Sequence, residues 1–549
     1  MTSGFFETAA TRGAHTGSFR TALRRALSRV RPAALCVTVI AVGFAAAQPL
    51  SAQRAPNLAD FDQYVAHAAK DWHVPGMAVA IVKDDSLVFA KGYGVLEQGK
   101  PAMVDEHTRF AIGSTTKAMT VAALAMLVDE GKLHWDDRVI DHFPDFRLYD
   151  PWVTREVTIR DLLTHRTGLP NLDLLWVIPQ NQLSLSEMIH RFRYVKPESS
   201  FRSKWEYENV MYAVLGGIVA QVSGMSWEQF IRTRIFAPIG MTESIALVSE
   251  LPGQPNVAIP YAENGGTVRV VPVLNTDAVA SAGSVWSSVS DMSKWMRFML
   301  DSGRVGNKRL IQPATFREII TPQIQAPMAE YPALELAKPH FFSYGFGWFV
   351  QDYHGEIVWM HTGSVNGMCA IIGLVPSKNL GVYVLENLDH AELRHALMYK
   401  VFDMYGTGSS AAGASRRDWS TDLKAMFDKQ EAAARIRSAN RVKVSDSAAA
   451  SYPALPLERY VGTYTDSTYG SVQVTLASGS LHARFENLDI GELEHVAYGR
   501  FRSIASQPVA RAAELTFVPD GNGHVGAVRA FGQTFPRSSG STSTPQTEQ

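Results

Sequence analysis

Between residues 57 and 405 the chain alternates continuous apolar runs with stretches whose apolar residues recur at helical spacing. Residues 77–82 and 86–92 flank Lys83-Asp84-Asp85 and predict a β-hairpin turning on those charged residues. Residues 115–130 have helical spacing and stop at Gly131, a suitable C-terminal cap. A second helix is predicted over 210–222, stopped by Ser223-Gly224, and a third over 291–300, stopped by Ser302-Gly303. Strands return at 344–352, 356–360, 368–375 and 381–385. Strands early and late with helices between them predict one sheet built from both ends of the segment, with a helical region inserted.

The pattern changes on either side. Residues 406–452 read as a linker: Ala, Ser and Gly dominate 407–415 and 446–451, around a charged, alanine-rich stretch at 418–443 expected to form an exposed helix. Residues 453–537 carry short alternating runs with Gly turns, such as Ser471-Val-Gln-Val-Thr-Leu and Leu481-His-Ala-Arg-Phe, the mark of a small antiparallel β domain. Residues 538–549 are Ser/Thr-rich and expected to be disordered. Residues 1–52 read as a signal peptide: six arginines against the single acid Glu7, an apolar stretch over 33–47, then cleavage options after Ala47 or Ala52. About 15 apolar residues are short for a membrane span, so the expectation is export to the periplasm or medium with no stable span left after cleavage.

Charge and cysteine content refine this. The whole chain has a formal net charge of -1, which offers no basic field for a nucleic-acid backbone. That balance owes much to the leader: without its six Arg and one Glu, 46 basic residues face 52 acidic ones, a net of -6. Cys369 then remains alone, set in Met-Cys-Ala-Ile-Ile, where a buried apolar thiol is expected rather than a nucleophile. No His-x-x-x-His or paired-Cys spacing suggests a metal, and no cofactor is expected.

Three short motifs can carry chemistry. In Ser114-Thr-Thr-Lys117, at the head of the first helix, residues three apart share a face, so the Lys117 amine can reach the Ser114 hydroxyl. A serine hydroxyl attacks carbonyls poorly until a neighbour takes its proton, and a lysine does so only when burial or nearby cations lower its pKa. In Tyr207-Glu208-Asn209, before the second helix, a phenol can exchange a proton and an amide can hold a substrate amide through donor and acceptor. In His361-Thr362-Gly363-Ser364, between two late strands, an edge with Gly lets a substrate backbone approach and adds an N–H for an oxyanion hole. Taken singly, each motif also fits an ordinary structural role. The first suits a capped helix with a solvated lysine, the second a helix start with Asn209 as cap, and the third a turn with His361 at a wet edge.

Their order is more specific. Ser-x-x-Lys, Tyr-x-Asn and a basic residue followed by Thr-Gly resemble the serine β-lactamase and penicillin-binding-protein superfamily. The surrounding text is similar to its class C β-lactamase-related branch: Phe110-Ala-Ile-Gly-Ser-Thr-Thr-Lys117, Asp161-Leu-Leu-Thr-His-Arg-Thr-Gly-Leu-Pro170, Trp205-Glu-Tyr-Glu-Asn209, Ser281-Ala-Gly-Ser284 and Tyr344-Gly-Phe-Gly-Trp348. Tyr460-Val-Gly-Thr-Tyr464 and Tyr469-Gly-Ser-Val-Gln-Val474 resemble the lipocalin-like domain that follows some peptidases of this branch. The resemblance implies an α/β (α+β) domain over 57–405, with an antiparallel sheet flanked by helices and a helical insertion, and a small antiparallel β-barrel-like domain over 453–537. It implies Ser114 as the acyl-enzyme nucleophile, Lys117 assisting its deprotonation and Tyr207 as general base and acid. It further implies that Asn209 binds the substrate amide and that the N–H groups of Ser114 and Ser364 form the oxyanion hole.

Two departures bear on substrate. His361 stands where β-lactamases and D,D-carboxypeptidases have Lys; with a pKa near ~6.5 it is mostly neutral at pH 7, which weakens carboxylate recognition. His-Thr-Gly occurs in the D-amino-acid peptidase and esterase-like members that the chain resembles. The middle of Tyr-x-Asn is the acid Glu208, expected to be solvated, and His165 is expected to make a loop-stabilising hydrogen bond. The expectation is an exported serine hydrolase acting on small-molecule or short-peptide amides or esters, D-amino-acid peptides foremost. The alternatives are an esterase or weak β-lactamase with the same site, or a non-catalytic penicillin- or peptidoglycan-binding protein.

Overall fold

The structure, a computed structural model, describes residues 56–177, 183–264, 266–389, 391–406, 417–448, 453–504 and 513–538. The leader expected at 1–52, and all of the tail expected at 538–549 except Ser538, lie outside them.

Asn57 opens α1 (Leu58–Asp71) by accepting the Ala59 and Asp60 N–H groups, which satisfies two donors left free at a helix start. The first hairpin pairs β1 (Gly76–Lys83) with β2 (Ser86–Gly94). Both turn residues, Asp84 and Asp85, have positive φ (50° and 61°), the mirror-image turn whose twist suits antiparallel strands. Apolar residues surround all of α2 (Lys117–Asp129), so it has no solvent face and forms a central core helix. It follows a tight turn at Gly113–Thr116. Helix α3 (Asn209–Ser223) ends at Gly224, whose φ of 72° is the left-handed cap that glycine supplies. Ser288 caps α4 (Val289–Leu300) by accepting the Asp291 N–H.

The late strands differ from expectation in one place. Residues 344–352 are not one strand but β4 (Phe342–Tyr344) and β5 (Phe349–Tyr353), split by a turn closed by the Gly345 N–H to the Trp348 carbonyl. The aromatic pattern runs through this turn and hides it. Gly347 sits there at φ +69°, where a Cβ would lie 3.2 Å from the Lys117 carbonyl carbon. With β3 (Ile324–Gln325), β6 (Glu356–Val365), β7 (Met368–Val375) and β8 (Leu380–Glu386), the described residues form an eight-stranded antiparallel sheet ordered β2-β1-β8-β7-β6-β5-β4-β3.

Strand periodicity of two divides the core. Met77, Val79 and Ile81 face one layer with α1 and α5 (Leu393–Met404); Ala78, Ala80 and Val82 face the other with α2, α3 and α4. Both faces are covered, which is why β1, β7 and β8 read as unbroken apolar runs.

Helix α6 (Trp419–Ala448) follows, with Trp419 stacked on Tyr399 at 4.7 Å and its Nε1 donating to Asp403. Among the described residues, eight antiparallel strands then succeed one another in chain order: β9 (Gly462–Asp466), β10 (Gly470–Ala477), β11 (Ser480–Phe485), β12 (Leu488–Ala497), β13 (Arg500–Ser503), β14 (Glu514–Pro519), β15 (Val525–Ala530) and β16 (Gln533–Pro536). A bridge between Tyr464 and Arg537 brings the last strand back to the first, giving a nearly closed barrel. The turn after β9 meets the preceding α/β domain, where Arg191 Nη1 donates to the Thr468 carbonyl (3.2 Å).

Candidate active site

Ser114 lies in the Gly113–Thr116 turn and Lys117 begins α2, so one helical turn brings Nζ to 3.0 Å from the Ser114 Oγ. Nζ also donates to Asn209 Oδ1 (2.7 Å) and to the Ala282 carbonyl (2.9 Å). It lies 4.8 and 5.2 Å from the ring centres of Tyr207 and Tyr212. Lys117 is fully buried; burial disfavours its ammonium and brings its pKa down to about 7, against the opposing charge of Asp173. The bare-motif alternative of a solvated lysine is thereby excluded.

Tyr207 precedes α3 and Asn209 starts it. Burial raises the pKa of the Tyr207 phenol well above 10, outweighing the opposing influence of the neighbouring Ser114 hydroxyl, so it holds its proton at rest. The Asn209 amide is engaged: beyond Lys117 on its oxygen, its Nδ2 donates to both oxygens of Asp173 (3.0 and 3.1 Å). Asp173 also accepts from Trp176 Nε1 (2.9 Å) and Asn171 Nδ2 (3.1 Å). Asn209 therefore links the acid to the lysine in this structure, a different position from that of a free amide awaiting substrate. Nothing in the spacing around Asp173 marked it, since its partner lies 36 residues away.

The His361–Ser364 motif is not in a turn. Strand β6 runs five residues past its expected end at Met360, and these residues pair with β7 only, because β5 stops at the Phe349–Met360 pair. The motif is thus a local edge of an interior strand. The backbone at Gly363 lies so close to the nucleophile turn that a Cβ would fall 1.9 Å from the Ile112 carbonyl oxygen and 3.1 Å from the Ser114 nitrogen. A Cβ on Gly113, itself at φ +52°, would meet the Ser364 nitrogen at 2.7 Å. Two backbones that only glycines let approach this closely bring the Ser114 and Ser364 nitrogens together.

His361 is buried rather than wet. Its Nδ1 donates to the Thr362 carbonyl (2.6 Å), so its Nε2 accepts from the Tyr344 hydroxyl (3.0 Å). Burial first, then the Lys117 charge, lowers its pKa to about 3, so it is neutral throughout the physiological range. The Thr362 hydroxyl pairs with that of Tyr331 at 2.8 Å. Ser364 is exposed, and beneath it the buried Arg394 donates to the Gly363 carbonyl (2.7 Å) and Ser364 Oγ (2.9 Å). Glu392 accepts from Arg394 (3.0 Å) and His395 (2.5 Å); burial alone would raise its pKa, but these two partners hold it well below the usual carboxylate range. Helix α5 is thus tied to the strand that carries Ser364, another link the sequence does not display.

Glu208 corrects an expectation. It is fully buried, because Tyr207 and Glu208 alternate in extended chain: Tyr207 turns to Lys117 and Glu208 turns under the loop at 165–169. There Thr167 Oγ1 donates to Oε1 (2.5 Å), Oε2 has no partner, and burial raises the carboxyl well above its ordinary value. Cys369 is buried as expected, with burial pushing its thiol up to about 12. A cavity of about 780 Å³ lined by Trp152, Thr167, Leu169 and Phe201 lies nearby, but none of the reactive groups lines it. Among the described residues no group of three His, Cys, Asp or Glu is placed to hold a metal.

The beta-lactamase family matches residues 61–401, and a domain of unknown function (DUF3471) matches 446–539. The chain is 28% identical over 452 residues to an unguisins hydrolase of Aspergillus violaceofuscus, covering 77% of this chain and 78% of that protein. It is 26% identical over 330 residues to protein flp of Staphylococcus aureus, covering 60% and 62% respectively. The penicillin-binding protein homologue of Pyrococcus abyssi, described as octameric, superposes with a TM-score of 0.58 at 21% identity over 87% of this chain and 99% of that one. A class C beta lactamase of Rhodobacter sphaeroides shares the fold at TM-score 0.51 and 20% identity, over 62% of this chain and 97% of that one. The match over 61–401, with the fold and the assembled Ser114, Lys117 and Tyr207, shows that the chain belongs to the beta-lactamase family and is a serine hydrolase.

Proposed function

We propose that the protein hydrolyses amide or ester bonds of small molecules or short peptides, D-amino-acid peptides foremost, through an acyl-enzyme on Ser114. The observation that carries this is the buried Lys117 amine, with a pKa of about 7, 3.0 Å from the serine oxygen. As Ser114 Oγ bonds to the substrate carbonyl carbon, its proton passes to Lys117 Nζ, and the carbonyl oxygen takes the negative charge between the Ser114 and Ser364 N–H groups. Tyr207, protonated at rest, gives its proton to the leaving amine or alcohol as the C–N or C–O bond breaks and recovers one from Lys117. Water then attacks the ester carbonyl by the reverse route, returning the proton to Ser114 Oγ as the acid product leaves.

The neutral His361 supports weak recognition of a substrate carboxylate, which favours peptidase or esterase activity over efficient β-lactam turnover. The name of the Aspergillus relatives, unguisins hydrolase, supports hydrolytic action. The charged-apolar leader supports export.

Reaction with a fluorophosphonate followed by intact-mass measurement tests the nucleophile. One adduct is expected on the wild type and none on Ser114→Ala; an equal adduct on both overturns the assignment. A panel of p-nitroanilide peptides, acyl esters and nitrocefin then ranks substrates, and labelling without turnover on any of them favours the binding-protein reading.

A further inference from the structure

The backbone on both sides of Tyr207 is held by a single residue, His165. Its carbonyl accepts the Glu206 N–H (2.8 Å) and its Nδ1 accepts the Glu208 N–H (3.1 Å). Its ring lies 4.4 Å from the Tyr207 ring, centre to centre, inclined by 39°. Tyr212, Tyr344 and Trp205 close the remaining sides at 5.2, 5.1 and 6.0 Å. His165 is fully buried and adopts φ +54°, a conformation uncommon outside glycine that costs free energy unless the surroundings impose it.

Because Nδ1 accepts, the imidazole carries its proton on Nε2, and that buried atom has no hydrogen-bond partner. Burial first, then the Lys117 charge, opposes a second proton. A loop needing only one hydrogen bond has no use for a strained backbone, a buried unpaired donor and an aromatic face laid on the reactive phenol.

We infer that His165 is a positioning residue for Tyr207: its ring is the seat of the phenol, and its two acceptors fix the backbone at 206 and 208 so that Tyr207 turns to Lys117. This rests on the proposed role of Tyr207 as the acid that protonates the leaving group. Misplacing that acid penalises a leaving group that needs a proton, such as an amine, and spares one that does not, such as p-nitrophenolate.

The test is the ratio of kcat/KM for a p-nitroanilide or peptide amide to that for a p-nitrophenyl ester of the same acyl group. It is measured in wild type, Tyr207→Phe, His165→Phe and His165→Asn. His165→Phe keeps a ring but cannot accept the Glu208 N–H; His165→Asn keeps an acceptor, tolerates positive φ and lacks the ring. Both are expected to lower the amide-to-ester ratio at least ~10-fold, in the direction of Tyr207→Phe, with ester kcat/KM within ~3-fold of wild type. Thermal melts identify the better-folded variant. If that variant keeps the wild-type ratio, or loses amide and ester turnover equally, the inference is overturned. If Tyr207→Phe itself leaves the ratio unchanged, the role assigned to Tyr207 fails instead.

Discussion

As the proposed base for Ser114, Lys117 sets the expected response of the enzyme to pH. Burial disfavours its ammonium down to about 7, and only the free amine can take the Ser114 proton. The active form therefore grows as pH rises: kcat/KM for an activated ester is expected to climb about tenfold per pH unit below the midpoint and to level off above it. Tyr207 titrates well above 10 and His361 near 3, so neither supplies a falling limb between pH 5 and 9. A pH–rate profile flat through 7 would show that Lys117 is not the base. Asp173 is the charge that opposes burial at Lys117. Replacing it in Asp173→Asn is expected to move the midpoint down by up to ~1 unit, so that a larger share of the plateau rate survives at pH 6. An unmoved midpoint would confine Asp173 to holding Asn209. The two expectations differ in how far the chain itself displays the relation they rest on. Ser114 and Lys117 are legible because helix geometry places residues three apart on one face. Asp173 and Arg394 are not, because long-range folding alone supplies their partners.

At the scale of elements, the site is where the nucleophile turn at Gly113–Thr116 crosses the free end of β6. Two glycines permit the crossing, and a Cβ on Gly363 would fall 1.9 Å from the Ile112 carbonyl oxygen. Gly363→Ala forces the two backbones apart and separates the two N–H groups proposed to hold the oxyanion. The expected outcome is a fall of about 10²–10³ in the rate of fluorophosphonate labelling, the scale of losing an oxyanion donor. Labelling at the wild-type rate would show that the hole does not use Ser364. The helices were readable from their 3.6-residue spacing and glycine caps, as at Gly131 and Gly224. The strand boundaries were less so: aromatic residues continue through the Gly345–Trp348 turn, and the polar His361-Thr362-Gly363-Ser364 looks like a loop although it is strand. In both places tertiary packing overrides the local pattern, around Gly347 against α2 and around Arg394 under Ser364. Glu208 departs from its expected solvent exposure for a related reason. An acid between two cleft residues suggests solvent until Thr167, 41 positions earlier, is seen folded over it.

For the molecule as a whole, the question is whether the barrel takes part in the chemistry or accompanies it. Every group assigned to proton transfer or the oxyanion, with Arg394 behind them, lies between Ser114 and Arg394, none in the barrel. Yet the turn after β9 rests on the segment that leads to Tyr207: Arg191 donates to the Thr468 carbonyl, and burial first, then the charges of Asp466 and of Glu198 in that segment, push the Tyr469 phenol up to about 12. Between Glu198 and Tyr207 the chain is fastened independently, by Glu198 and Ser199 N–H to the Gly168 carbonyl, by Arg202 to Asp161, and by Glu206 and Glu208 to His165. Loosening the barrel contact should therefore not propagate to the phenol. Tyr469→Ser removes a buried aromatic ring, a loss on the order of 3–5 kcal/mol, and is expected to lower the melting temperature by on the order of 10 °C. The kcat/KM for a small p-nitrophenyl ester should stay within ~2-fold of wild type, the range left when a change lies far from the reacting groups. A matching loss of ester turnover at temperatures where the variant remains folded would mean that the barrel braces the catalytic tyrosine. Unchanged turnover with a lowered melting temperature would place the barrel's contribution in stability and in contacts beyond the scissile bond.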